Sequence, residues 1–191
     1  MEGLVPFAMA LGLVALLELG DKTQLATISL AARYPWLPVL VGASAGLVSL
    51  TAIAVGVGAI LAGLLAPWSV ALQIGGGVLF VALGLWTYLR GEETPAVTAR
   101  RGPFVSAFAL TVVAELGDKT QIAVLLLAAT MAAPWSVFAG ASLALILVSG
   151  MSVLLGAVLA RILEAKWIKV VSAGIFVVAG VLLILEALLS G

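Results

Sequence analysis

Residues 18–24 read Glu-Leu-Gly-Asp-Lys-Thr-Gln, and residues 115–121 repeat the same seven in the same order. If each stretch is helical, Glu18, Asp21 and Lys22 stand three and four residues apart and share one face, as do Glu115, Asp118 and Lys119. Two Glu and two Asp, with hydroxyl and amide oxygens from Thr23, Gln24, Thr120 and Gln121 close in sequence, make a hard-oxygen set suited to Mn²⁺, Ca²⁺ or Mg²⁺. The chain has no Cys and no His, which removes thiol and iron–sulfur chemistry and argues against zinc or copper. It also lacks the nucleophile or His-held metal water of an intramembrane hydrolase, so an enzyme is not expected.

Almost everything around these residues is hydrocarbon. Of 191 residues, 64% are apolar and 9% charged, against about 45–50% and about 25% in soluble domains. The expected fold class is therefore an all-α, multi-pass membrane protein. Nine basic and nine acidic residues cancel, leaving no charge argument for nucleic acid as a partner. The N-terminal apolar run lacks a basic leader and is read as a retained first span.

Charge at mid-membrane depth dictates where the two motifs point. An ionised side chain at the bilayer centre costs about 2.5–3.5 kcal/mol, so the six in the two motifs would cost roughly 15–20 kcal/mol facing lipid. Both sets are expected to face inward and meet. Each Lys could pair with its own acid as buried glue between helices, which would make the chain a non-transporting structural subunit. Four acids against two lysines nevertheless leave two surplus negative charges, to be matched by a cation or removed by protons. An arriving divalent cation would displace those protons, a one-for-two exchange by charge count.

Six apolar segments hold these residues: about 4–32, 38–66, 69–89, 104–132, 136–163 and 168–189. The 41–50 and 139–148 stretches also align, and Trp36, Trp68, Trp135 and Trp167 mark matching junctions. The reading is six transmembrane helices as two inverted three-helix repeats, 1–89 and 104–191, joined by a cytoplasmic linker at 90–103. Arg33, then Arg90, Arg100 and Arg101, then Arg161, Lys166 and Lys169 fall on alternate connections, which puts that side in the cytoplasm and both termini outside. Trp at segment ends reads as an aromatic belt. Gly42, Gly46 and Gly140 read as helix contacts, as does the Gly75–Gly77 run, with a hinge as its alternative. Gly20 and Gly117 are either helix contacts or points where the helix loosens and frees backbone carbonyls.

At these residues the chain resembles a known family. An E-φ-G-D-[KR]-[TS] motif in each half of a six-span chain is similar to the small cation/proton antiporters that include Golgi manganese and calcium transporters and bacterial manganese exporters. Glu18, Gly20, Asp21, Lys22 and Thr23 match it, as do Glu115, Gly117, Asp118, Lys119 and Thr120. The resemblance implies exchange of Mn²⁺ or Ca²⁺ for protons, with Glu18, Asp21, Glu115 and Asp118 as metal ligands. The bound ion is then cargo, and no separate cofactor is expected. It also implies a compact prokaryotic form, in the inner membrane. A passive cation channel is the alternative, and it would need a polar lining along the span that the motif helices do not offer.

Overall fold

The computed structural model describes residues 3–19, 22–31, 34–89, 102–162 and 165–190. Gly20, Asp21, Arg33 and most of the linker, residues 90–101, lie outside the described residues, and the charge-sidedness expectation rests largely on these.

Every regular element described is helical: α1 (Leu4–Glu18), α2 (Lys22–Ala31), α3 (Trp36–Leu64), a 3-10 turn (Ala66–Trp68), α4 (Ser69–Leu89), α5 (Pro103–Glu115), α6 (Lys119–Thr130), α7 (Pro134–Ile162) and α8 (Ala165–Ser190). Pro103 and Pro134 open their helices, where proline's missing N–H has no intrahelical partner to lose. α3 and α7 are 29 residues each, and both contain stretches long and apolar enough to cross a bilayer. The apolar segments keep their expected places, but two do not run through. The segments expected at 4–32 and 104–132 are each broken into two half-helices at the motif.

The second break shows the cause. Gly117 has φ +76, a left-handed value that glycine adopts without penalty, and Asp118 follows in an extended conformation, φ −74 and ψ 166. Helical geometry cannot continue through either residue. The one-face arrangement expected for Glu115, Asp118 and Lys119 is therefore replaced. Glu115 is the last residue of α5, Asp118 the N-cap of α6, and Lys119 its first residue. In the first copy Glu18 likewise ends α1 and Lys22 begins α2. No atom outside the local backbone lies within 4 Å of a Cβ built on Gly117, so a side chain there meets only the torsional penalty. Gly117→Ala is expected to cost about 1–2 kcal/mol, read as a lowered melting temperature with no loss of side-chain packing elsewhere.

Packing exchanges partners between the two halves. α1 lies against α7, while α5 lies against α3. Gly42 on α3 faces the Phe104 carbonyl of α5, and Gly140 on α7 faces the Phe7 carbonyl of α1, each too close to admit a Cβ. The same exchange runs through the core: Ala10, Val137 and Ala141 form part of one buried cluster, Ala107, Val39 and Ala43 part of a second. On the flank α4 crosses α8 at Gly77 and Gly180, each facing the other's backbone carbonyl. Gly77 thus meets the packing expectation, whereas Gly75 faces open space. The outer surface is apolar, with Leu64, Leu89, Val113 and Leu189 between 71% and 87% exposed, as lipid-facing helices require. Trp36, Trp68, Trp86 and Trp135 are exposed at or close to helix ends, the position of an interfacial belt.

Candidate cation site

Breaking a helix in mid-segment leaves unsatisfied carbonyls at the end of one half and unsatisfied N–H groups at the start of the next. The half-helix C-termini therefore carry partial negative charge where Glu18 and Glu115 sit. Both glutamates are buried, 3% and 0% exposed. The two negative contributions coincide, so the break strengthens the field that a cation would meet.

The two copies hold each other. Thr23, the second residue of α2, donates its hydroxyl to Oε1 of Glu115. Thr120, the second residue of α6, donates its hydroxyl to Oε2 of Glu18, at 3.3 Å. All four side chains are buried. A hydrogen bond to a charged group is worth about 1.5–3 kcal/mol net, and here each one links residues 92 or 102 apart in sequence. The expectation that the two copies meet is thus met for Glu18, Thr23, Glu115 and Thr120.

The remaining members are placed as follows. Gln24 and Gln121 are buried one residue beyond the threonines, Gln121 at the third position of α6. Asp118 is half-buried, and its side chain does not cap α6. Lys119 is half-buried at the positive end of α6, an unfavourable place for a cation in dipole terms, so helix stability does not account for it there. Among the described residues no three acidic side chains form a ready-made metal cage. Asp21, the fourth expected ligand, lies outside the described residues, as does Gly20.

Sequence reasoning assigned Thr23 and Thr120 to the ion. It did not foresee that each reaches the other copy's glutamate. It counts Thr111, one helical turn before Glu115 and fully buried, only among the sparse polar residues outside the motifs. The signal available was its spacing: a hydroxyl four residues before the motif glutamate in an otherwise apolar helix.

Interrupted helices that bury carboxylates inside an apolar, outward-facing shell define a helical membrane transporter. The chain belongs to the divalent cation/proton antiporter GDT1 family, whose model matches residues 6–95 and again residues 103–190. It is thus a transport protein and not an enzyme. A Vibrio cholerae protein named "Putative manganese exporter" is 35% identical over 179 residues, 88% of this chain and 85% of that one. A GDT1-like protein of Synechocystis is 33% identical over 193 residues, 91% and 93% of the two chains. A GDT1-like protein of Oryza sativa is 29% identical over 215 residues, 92% of each. No solved structure matches the chain.

Proposed function

We propose that the chain exchanges a hard divalent cation, Mn²⁺ first and Ca²⁺ second, for protons and carries the cation out of the cytoplasm. Glu18, Asp21, Glu115 and Asp118 ligate the cation and carry the protons, with Thr23, Gln24, Thr120 and Gln121 as auxiliary oxygens. Lys22 and Lys119 offset part of the negative charge. In this reading the six apolar segments are spans, arranged as two inverted repeats, 1–89 and 104–191, around a cytoplasmic linker at 90–103. Both termini lie outside, and the membrane is a prokaryotic inner membrane.

The observation that carries the reading is the reciprocal pairing of Thr23 with Glu115 and Thr120 with Glu18, which puts carboxylates from both copies in one buried region. Oxygen-only chemistry fits a hard cation, and Mn²⁺ or Mg²⁺ can keep several of its waters where the protein offers few ligands. The family description and the name of the Vibrio relative support cation transport, with manganese as one cargo.

Protein reconstituted in liposomes tests it. With two protons moving against one divalent cation, an interior one pH unit more acid than the outside drives about 2.7 kcal/mol, or roughly 100-fold accumulation of Mn²⁺. The expected result is uptake that follows the imposed gradient and stops when the gradient is dissipated. Uptake indifferent to pH would remove proton coupling, and no uptake of either Mn²⁺ or Ca²⁺ would remove the transport assignment.

A further inference from the structure

The two motifs are identical, but the turns that precede them are not. Four residues before Glu18 stands Val14, and four residues before Glu115 stands Thr111; both are fully buried. Residues four apart share a helix face, and side chains lean toward the N-terminus of their helix. Helix geometry thus lets the Glu115 side chain reach back toward the turn that carries Thr111, and the Glu18 side chain toward the turn that carries Val14.

The Thr111 hydroxyl has no hydrogen-bond partner among the described residues. Ser44 and Ser142 share that condition, but neither stands one turn before a motif glutamate, and other hydroxyls in these helices are satisfied. Thr51, Thr130, Ser49 and Ser152 each donate to the carbonyl four residues earlier, at 2.7–2.8 Å. A buried threonine has that partner at hand in any helix, yet Thr111 does not use it. Its Cβ and methyl carbon lie 3.3 and 3.4 Å from the position of a Cβ built on Gly46, so the methyl takes the α3 side. A buried hydroxyl left unmade is costly, and valine, the residue at the matching position, would fill the same space without that cost.

We propose that Thr111 supplies a neutral oxygen to the bound divalent cation, on the Glu115 side only, and so sets which cation the site prefers. This rests on the reading of Glu115 as a ligand. The pocket is then lopsided: carboxylate over hydroxyl on α5, carboxylate over hydrocarbon on α1. A neutral oxygen matters most to the ion that needs most ligands. Ca²⁺ takes six to eight oxygens and tolerates irregular geometry, whereas Mn²⁺ and Mg²⁺ are satisfied by six and retain water readily. Thr111 therefore favours Ca²⁺ relative to the smaller ions.

The test is titration of the purified, metal-free full chain with Ca²⁺ and, separately, Mn²⁺ by calorimetry, together with its melting temperature. Thr111→Val is expected to weaken Ca²⁺ binding about tenfold and Mn²⁺ binding about threefold or less, the loss of one neutral ligand of many. The metal-free melting temperature stays level or rises, because the variant removes an unpaired polar group. Thr111→Ser, which keeps the oxygen, restores the wild-type preference. If Thr111→Val fails to fold, Thr111→Ala serves in its place and carries the same expectation for the two metals. Equal affinities in variant and wild type, or equal losses for both ions with a lowered melting temperature, would overturn the proposal. A wild-type chain that binds neither ion would instead overturn the site assignment itself.

Discussion

Glu115→Gln is expected to abolish cation transport while leaving the fold intact. The glutamate is fully buried at the end of α5 and accepts a hydrogen bond from Thr23 through Oε1. Glutamine has the same shape and keeps a carbonyl oxygen for that bond, so the link between the halves survives. What disappears is one negative charge in a region of low dielectric. Losing one member of a buried charge pair costs about 2–5 kcal/mol, and each 1.4 kcal/mol is tenfold, so Mn²⁺ transport is expected to fall by about 30-fold to several thousandfold. Glu18→Gln is expected to behave alike, because Glu18 holds the matching place on α1. If the two glutamates act on one ion, the double variant is barely worse than the poorer single variant, since groups acting as a unit are not additive. Initial uptake rates in proteoliposomes, with melting temperature as the control, check this. A glutamine variant that folds and transports at the wild-type rate would remove Glu115 from the site.

The second large effect is on assembly. Gly140→Ala puts a methyl group against the Phe7 carbonyl, and the next nearest atom is the backbone nitrogen of Leu11 at 3.1 Å. Both obstacles are backbone, which cannot rotate aside as a side chain would. α7 must therefore part from α1, and the contact loosens along its length. Overpacking of this kind costs about 1–3 kcal/mol and more where nothing yields. For a chain of this size each kcal/mol shifts the melting temperature by about 2–4 °C, so a drop of about 5–10 °C is expected. Gly42→Ala should match it, because its obstacles are the Phe104 carbonyl and the Ala107 Cβ at 3.1 Å. Gly56 is the internal control: it lies on the same helix as Gly42, is exposed, and has no atom within 4 Å of a built Cβ. Gly56→Ala is expected to raise the melting temperature, since alanine is favoured over glycine in a helix by about 1 kcal/mol. Opposite signs at two glycines of one helix separate packing from propensity.

Much of this was legible in the residues, and the limits of legibility have physical causes. Hydropathy located the long helices to within a few residues, because the bilayer fixes how much apolar chain a helix needs. α4 begins at Ser69 and ends at Leu89, as read. Hydropathy says nothing of backbone continuity, however, so it draws both segments as continuous spans, with loosening at Gly20 and Gly117 as only one of two alternatives for those glycines. The signal for the interruption was present in the motif itself. Gly117 followed by Asp118, with Gln121 three residues on, has the form of a helix start rather than a helix middle. It was outweighed by the apolar residues on either side. The meeting of the two copies could be argued from the energy of burying charge, yet the crossed threonine–glutamate pairing could not. Which hydroxyl reaches which carboxylate depends on how α2 and α6 are set against α5 and α1, and spacing along one chain carries no record of that. Thr111 was hidden for a different reason, since one hydroxyl among apolar residues is ordinary in a helix unless its partner is known to be missing.

The crossed pairing also says something about how such a molecule is put together. A glutamate bonded by a threonine from the opposite copy means that neither copy holds both partners of either bond. Two separate polypeptides, each a single copy, could form the same two bonds by facing one another, and the tether between them would add proximity but no ligand. The chain is in that sense a self-contained couple, and its first chance to treat the two faces differently lies in the residues, such as Val14 and Thr111, where the partners have ceased to be alike.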